Sequence, residues 1–237
     1  MAAPEVTAGG DRGSVASEGE GNEVTDRRRL TGEETRNRIL DVAQELFAKH
    51  GYDGVSMRQI TVGANANVAS IHYHFGSKEK LLLEALRRGA APLIERRSES
   101  LSLLPRPLQL EDVIRAFVTP VFQGERAPGT RRLLFGELRS RLVFENGALA
   151  DQLLSELFDA SSRSYIEAIA DCLPDLPRSD LYYRFHYFLG AMFYAMSGTN
   201  RIKAISRGEC DPTNSTAAIE QLIHFVSAGF RAPSSGH

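Results

Sequence analysis

Tryptophan is absent from the 237 residues, and cysteine occurs only twice, as Cys172 and Cys210. Two cysteines so far apart, with no paired metal-ligand spacing, exclude a disulfide framework or a zinc ribbon and read as reduced structural thiols. No apolar run reaches the length of a membrane span, and the first residues lack the apolar core of a signal peptide, so a cytoplasmic protein with no membrane partner is expected. Charge of one sign is missing as well. The 28 basic and 30 acidic side chains leave a formal net charge of -2, which excludes a chain that coats nucleic acid through a broadly basic surface. Any contact with DNA must come from a local patch. A Walker loop, a dinucleotide glycine fingerprint, a zinc-ligand helix and a nucleophile elbow are all lacking. An enzyme is therefore not expected, and neither is a cofactor or a metal.

What is present is an ordinary globular balance, 42% apolar and 24% charged, in a chain long enough to bury a core without staples. Residues 1–30 are the exception. Rich in Gly, Ala, Glu and Ser and poor in large apolar residues, they cannot offset the entropy of ordering and are expected as a disordered tail, ending in the basic cluster Arg27-Arg28-Arg29. Residues 233–237 are expected to be disordered too.

Between these ends the periodicity is helical, no strand pattern is convincing, and the predicted fold class is all-α. Thr31 with Glu34 has the spacing of a capping box opening a first helix, whose Ile39, Ala43, Leu46 and Phe47 share one face and which Gly51 closes. Ser56 with Gln59 repeats the box for a short second helix ending near Ala64. In the run Ala64-Asn65-Ala66-Asn67, Asn65 suits a left-handed turn and Asn67 caps a third helix, Val68 to Phe75. Gly76 breaks it, Ser77 caps again, and a long amphipathic helix follows, which Pro92 is expected to kink or end. Further helices are expected near 110–123, 128–143, 148–172, 179–203 and 215–231.

Two short helices joined by a tight turn match a helix-turn-helix, whose second helix enters the major groove. Ile71 and Phe75, four apart, face inward, leaving Val68, Ala69, Ser70, His72 and Tyr73 to face DNA, with Asn67 at the helix start. Small residues there let the backbone approach the bases, and the methyls of Val68 and Ala69 suit thymine methyls.

From Thr35 to Lys78 the chain resembles the TetR-family DNA-binding domain, through Ile39-Leu40, Leu46-Phe47, Gly51-Tyr52, Ile60 and above all His74-Phe75-Gly76-Ser77-Lys78. The resemblance implies phosphate contacts from Ser56, Tyr73, His74 and Lys78 and base contacts from Val68, Ala69 and His72, although His74 is equally suited to capping or packing against the fourth helix. Two positions depart from the family pattern: His72 stands where many members have Tyr, and Asn65 replaces the usual turn glycine. The segment Asp180 to Gly190, with Met196-Ser197-Gly198, resembles the fatty-acid-responsive, PsrA-like branch of that family.

Those resemblances imply an N-terminal domain over 31–77 and a ligand-binding and dimerisation domain over 78–232. They imply a homodimeric repressor released from a palindromic double-stranded DNA operator by a small hydrophobic effector, with a fatty acid or acyl-CoA as the class. Phe117, Val121, Phe122, Leu134, Phe135, Leu138, Phe158 and Tyr165 are candidate pocket residues, with Arg139, Arg141 and His186 as candidate partners for an anionic group; most of the aromatic and aliphatic ones are equally suited to ordinary core. Leu189, Met192, Ile219, Ile223 and Phe230 are candidates for the dimer seam or, equally, for packing inside one subunit. Gly190, Ala191, Ala195 and Gly198 would let helix backbones approach closely.

Overall fold

The computed structural model describes residues 18–122, 131–144, 147–196, 201–211 and 213–234, and no strand occurs among them. The helices are α1 (Glu18–His50), α2 (Met57–Gly63), α3 (Val68–Phe75), α4 (Lys78–Ser102), α5 (Leu110–Phe122), α6 (Arg131–Phe144), α7 (Ala148–Cys172), α8 (Arg178–Met196), α9 (Arg201–Ile205) and α10 (Ser215–Arg231).

The first helix starts earlier than its sequence predicts. It begins at Glu18 and runs through Thr31 without interruption, so part of the expected loose tail is helical and Thr31 with Glu34 does not form a capping box. Residues 22–30 contain neither proline nor glycine, and extending a helix costs far less than nucleating a new one. The rest of the expected tail, residues 1–17, lies outside the described residues. At the other end Gly51 takes φ +72° and its N–H reaches the Phe47 carbonyl at 2.9 Å, the left-handed closure that glycine permits.

α2 packs on α1 closely enough that a Cβ at Gly63 would lie 2.7 Å from Val42. Ile39, Ala43, Phe47, Ile60, Ile71, Phe75, Leu81 and Leu82 are buried together, so α1 to α3 and the start of α4 share one small core. Tyr52 stacks on Phe47, with ring centroids 6.1 Å apart.

α4 belongs to both halves of the molecule. It does not end at Pro92 but continues to Ser102; its two halves are held by packing against α1, α5, α6 and α7. Arg36 of α1 meets Glu84 of α4 at 2.8 Å, and Arg88 of α4 meets Asp41 at 2.9 Å.

The larger core centres on Phe117 of α5. Its ring lies edge-on to Tyr165 of α7 at 4.9 Å and to Phe185 of α8 at 5.6 Å, so one side chain joins three helices. Phe188 extends the cluster to Phe230 of α10, at 6.4 Å. α8 stops at Met196, short of the expected 203, and a separate short α9 follows. Beyond α10 the backbone is tied down: Arg184 donates to the carbonyls of Phe230, Ala232 and Pro233 at 2.7, 2.8 and 3.1 Å. Pro233 is thus held rather than loose; residues 235–237 lie outside the described residues.

Candidate nucleic-acid interface

Capping chemistry sets the geometry of α2 and α3. The Ser56 hydroxyl accepts from the Gln59 N–H at 3.2 Å, while the Gln59 side chain accepts from the Ser56 N–H at 2.7 Å, the reciprocal box expected from the sequence. Asn65 takes φ +46° in the turn. Asn67 then caps α3, its Oδ1 accepting from the Ser70 N–H at 2.7 Å and the Ser70 hydroxyl at 3.0 Å. Ser77 caps α4 in the same way through the Lys80 N–H, at 3.2 Å.

With Ile71 and Phe75 buried, the opposite face of α3 is turned to solvent. Asn67, Val68, Ala69, His72 and Tyr73 are exposed, and Ser70 and His74 half-buried. Tyr73 stands 85% exposed, an unusual position for an aromatic side chain that belongs to no core. Ser56 is exposed at the start of α2, and Lys78 is half-buried with its ammonium 4.1 Å from the centre of the Tyr52 ring.

Four of these side chains are committed internally, three of them to helix caps. The hydroxyl of Ser56 and the side chains of Asn67 and Ser70 serve the caps, so their first role is to fix the start of each helix. His72 is committed at one nitrogen: Nδ1 lies 2.8 Å from the Gly76 carbonyl. A carbonyl only accepts, so Nδ1 carries the proton and Nε2 is the acceptor of the neutral ring.

Between Gly54 and Lys78 no acidic residue occurs, so the unit is locally positive although the chain is not. Arg58, exposed on α2, adds to this patch and has no place among the sequence-based candidates. Its signal was available, as a basic residue in the first turn of the helix that leads the turn. Behind the patch Tyr52 donates to Glu79 at 2.6 Å, a bond that pulls the Glu79 carboxyl down to about 2.

Among the described residues the larger half holds several cavities, two of which lie against its aromatic core. One, of about 310 Å³, lies between α4, α5 and α6 and is walled by Leu93, Pro120, Val121, Phe135 and Arg139. The second, of about 250 Å³, is walled by Arg97, Phe117, Arg139, Phe158, Met192 and Phe193. Arg139 lines both. Of the sequence-based pocket candidates, Phe117, Val121, Phe135, Phe158 and Arg139 wall these cavities, whereas Phe122, Leu134, Leu138 and Tyr165 are in or against the core without lining either.

Two of the candidate anion partners face elsewhere. His186 is exposed, because Leu181, Phe185, Phe188 and Met192 form the inward stripe of α8 and residue 186 is rotated off it. Arg141 points to α1, donating to the carbonyls of Ala48 and Lys49 at 3.3 Å each. Arg97 is a charged cavity residue absent from the sequence-based candidates, as are the apolar wall residues Leu93, Pro120 and Phe193. Arg97 is 3% exposed, and its place four residues after Leu93 and seven after Ala90 put it on the inward stripe of α4.

Of the seam candidates, three take the other place the sequence allowed them, inside one subunit. Met192, Ile223 and Phe230 are buried within the subunit, and Leu189 and Met192 line the second cavity. Ile219 is half-buried against the same core. Periodicity marks such residues as one face of a helix without saying what covers it. The outward face of α8 and α10 carries instead Tyr183, Tyr187, Tyr194 and Phe225, each at least 60% exposed, with open space around Gly190 and Gly229.

A capped short helix, a turn through a positive-φ asparagine and a second short helix with an exposed outer face define a helix-turn-helix protein built wholly of helices in its described parts. The chain belongs to the TetR family: the model for bacterial regulatory proteins of the tetR family matches residues 39–85, and that for the tetracyclin repressor-like C-terminal domain matches residues 115–229. Among curated relatives, the transcriptional repressor AcnR of Corynebacterium efficiens is 39% identical over 66 residues, 28% of this chain and 35% of that protein. The repressor KstR of Rhodococcus jostii is 32% identical over 138 residues, 51% of this chain and 65% of that protein. The match thus spans about a third of the length of the first relative and under two thirds of the second. Among solved structures, the fatty acid degradation regulator FadR from Bacillus halodurans superposes with a TM-score of 0.62 at 13% identity, over 84% of this chain and 97% of that one. A transcriptional regulator from Aquifex aeolicus gives 0.53 at 19% identity, over 82% and 98%. These likenesses establish the fold.

Proposed function

We propose that the protein is a homodimeric transcriptional repressor that binds a two-fold related DNA operator through α3 and is released from it when a small apolar molecule fills the inner cavities. The observation that carries this reading is the outer face of α3: exposed, free of acidic residues, small at its start and ending in the solvent-exposed Tyr73. Val68, Ala69 and His72 are the base-contacting residues, and Ser56, Tyr73, His74, Lys78 and Arg58 the phosphate-contacting ones. The relatives AcnR and KstR are described as repressors, which supports that sense of regulation.

In this reading a second copy of the chain covers the aromatic and glycine-bearing outward face of α8 and α10, and the two α3 helices meet the major groove about 34–36 Å apart or a multiple of that. The effector acts by preferring a subunit arrangement with the wrong spacing, and it shifts the equilibrium only as far as that preference goes. α6 is the mechanical link, since Phe135 and Arg139 wall the cavities while Arg141 holds the end of α1. A fatty acid or acyl-CoA is the effector class implied by the PsrA-like resemblance.

A mobility-shift titration on DNA from upstream of its own gene tests the reading. Wild type is expected to give a shift that resists nonspecific competitor, and a Tyr73→Ala, Lys78→Ala double variant to lose it. A folded wild-type dimer that retains no DNA here or in a genomic selection would refute it.

A further inference from the structure

His72 stands on the outer face of α3, and its ring is held in place. Nδ1 lies 2.8 Å from the Gly76 carbonyl, while the Gly76 N–H donates to the His72 carbonyl at 3.0 Å. The two residues thus bond each other twice, once through the main chain and once through the ring. Gly76 turns the chain out of the helix at φ +79°, a conformation that glycine takes without the clash a side chain would bring. Among the described residues no other group bonds the ring. His72 is exposed, as are Val68 and Ala69 four and three residues earlier, so it continues their face one turn further along α3.

The Gly76 carbonyl has no proton to give. The neutral ring therefore keeps its proton on Nδ1 and turns a bare Nε2, an acceptor only, away from that bond. In the major groove the hydrogen-bond donors are the exocyclic amino groups, N6 of adenine and N4 of cytosine, whereas guanine O6 and N7, adenine N7 and thymine O4 accept. An acceptor-only side chain can pair with an amino group and is repelled by a keto oxygen in its place. An imidazole free to change tautomer would present either a donor or an acceptor, and a tyrosine hydroxyl at this position would offer both. Neither would discriminate as the held ring does.

We infer that His72 is a specificity-determining residue that selects an exocyclic amino group, on adenine or cytosine, against the keto groups of guanine and thymine, because the Gly76 carbonyl fixes its tautomer. This role rests on the DNA reading above and deepens it, by naming the base chemistry that one position of α3 accepts. Adenine and cytosine on the same strand present their amino groups near the middle of the groove, so exchange of one for the other is tolerated at that position and a transition is not.

Selection of bound duplexes from a random pool by full-length wild type and by His72→Phe locates the position, as the one whose preference the variant loses; circular dichroism verifies that the variant folds. Wild type is expected to favour A or C over G or T there on one strand. Duplexes of the selected sequence are then made without the amino group, with purine for adenine or pyrimidin-2-one for cytosine, or without N7 of the same base pair, with a 7-deazapurine. Loss of the amino group is expected to weaken wild-type binding by about three- to tenfold per half-site and to make no difference to His72→Phe, while loss of N7 changes neither. In the free protein, long-range proton–nitrogen correlation spectra in mildly alkaline buffer are expected to place the His72 ring proton on Nδ1. The role is overturned by a proton on Nε2 in the free ring, by a His72→Phe selection identical to that of wild type, by amino deletion that costs both proteins equally, or by a cost to wild type from N7 deletion instead. Each of these leaves the DNA reading standing. A folded wild type that enriches no sequence refutes that reading and removes this role with it.

Discussion

Arg141 of α6 donates to the carbonyls of Ala48 and Lys49 at the C-terminal end of α1, both at 3.3 Å. A guanidinium there answers the negative end of the helix dipole and satisfies carbonyls that the helix itself leaves open. The same helix presents Phe135 and Arg139 to the cavities, so a shift of α6 is felt at both ends. Arg141→Ala is expected to lower stability by roughly 0.5–2 kcal/mol and to shrink the factor by which effector weakens DNA binding. Urea melts and DNA titrations with and without ligand check this; an unchanged coupling factor would remove Arg141 from the link.

The bond from Tyr52 to Glu79 predicts a pH dependence. It is the largest cause that lowers the Glu79 carboxyl from 4.5 to about 2 in the folded chain. A depressed carboxylate contributes stability that is fully present above the unfolded value and is lost as pH falls through the folded one. The contribution should therefore fade between about pH 4.5 and pH 2. In Tyr52→Phe the Glu79 carboxyl resonance should titrate close to the ordinary carboxylate range by NMR. A midpoint still near 2 would mean that Ser77 and the α4 N-terminus hold the charge by themselves.

Arg97 costs the ligand-free protein stability, because its charge is buried against neutral groups, the Phe117 carbonyl at 3.0 Å and the Phe117 ring with its centre 3.4 Å away. Arg97→Met keeps volume and removes the charge, and it is expected to raise unfolding stability by about 1 kcal/mol in the absence of ligand. Denaturant melts read the change. A loss of about 2 kcal/mol or more would mean that the bond to the Phe117 carbonyl and the ring contact outweigh desolvation.

Gly190 sits on the outward face of α8 with open space around it. Gly190→Arg is accommodated by the isolated subunit, and helix propensity favours it by several tenths of a kcal/mol. If the partner subunit covers that face, the variant should be monomeric by light scattering and retain its helical circular dichroism. A dimer that persists would locate the seam elsewhere.

The sequence carried the recognition unit nearly whole, because its boundaries are written in local chemistry. Ser56 with Gln59, Asn65, Asn67, Gly76 and Ser77 each act within four residues of themselves, and the structure has each in its expected cap or turn. Faces chosen by tertiary contact were harder to read. Met192 and Ile223 have the same spacing whether they meet a second subunit or their own core, and the structure gives them to the core. His186 sits one residue beyond Phe185, and that step of about 100° carries it from the interior to solvent. Arg97 reads as one half of a solvated Arg96-Arg97 pair until its register with Ala90 and Leu93 is followed. Thr31 with Glu34 has the spacing of a cap inside a continuous helix, because a local capping pattern says nothing of whether a helix is already running through it.

In the proposed function the exposed face of α3 reads DNA sequence. The most direct measurement is selection of bound DNA from a random pool by wild type and by Val68→Ala and His72→Ala. Enrichment of two half-sites related by a two-fold axis is expected, with each substitution relaxing the base preference at one symmetric pair of positions by about 1–3 kcal/mol. No enrichment by a folded wild-type dimer, or enrichment with preferences unchanged in both variants, would contradict it.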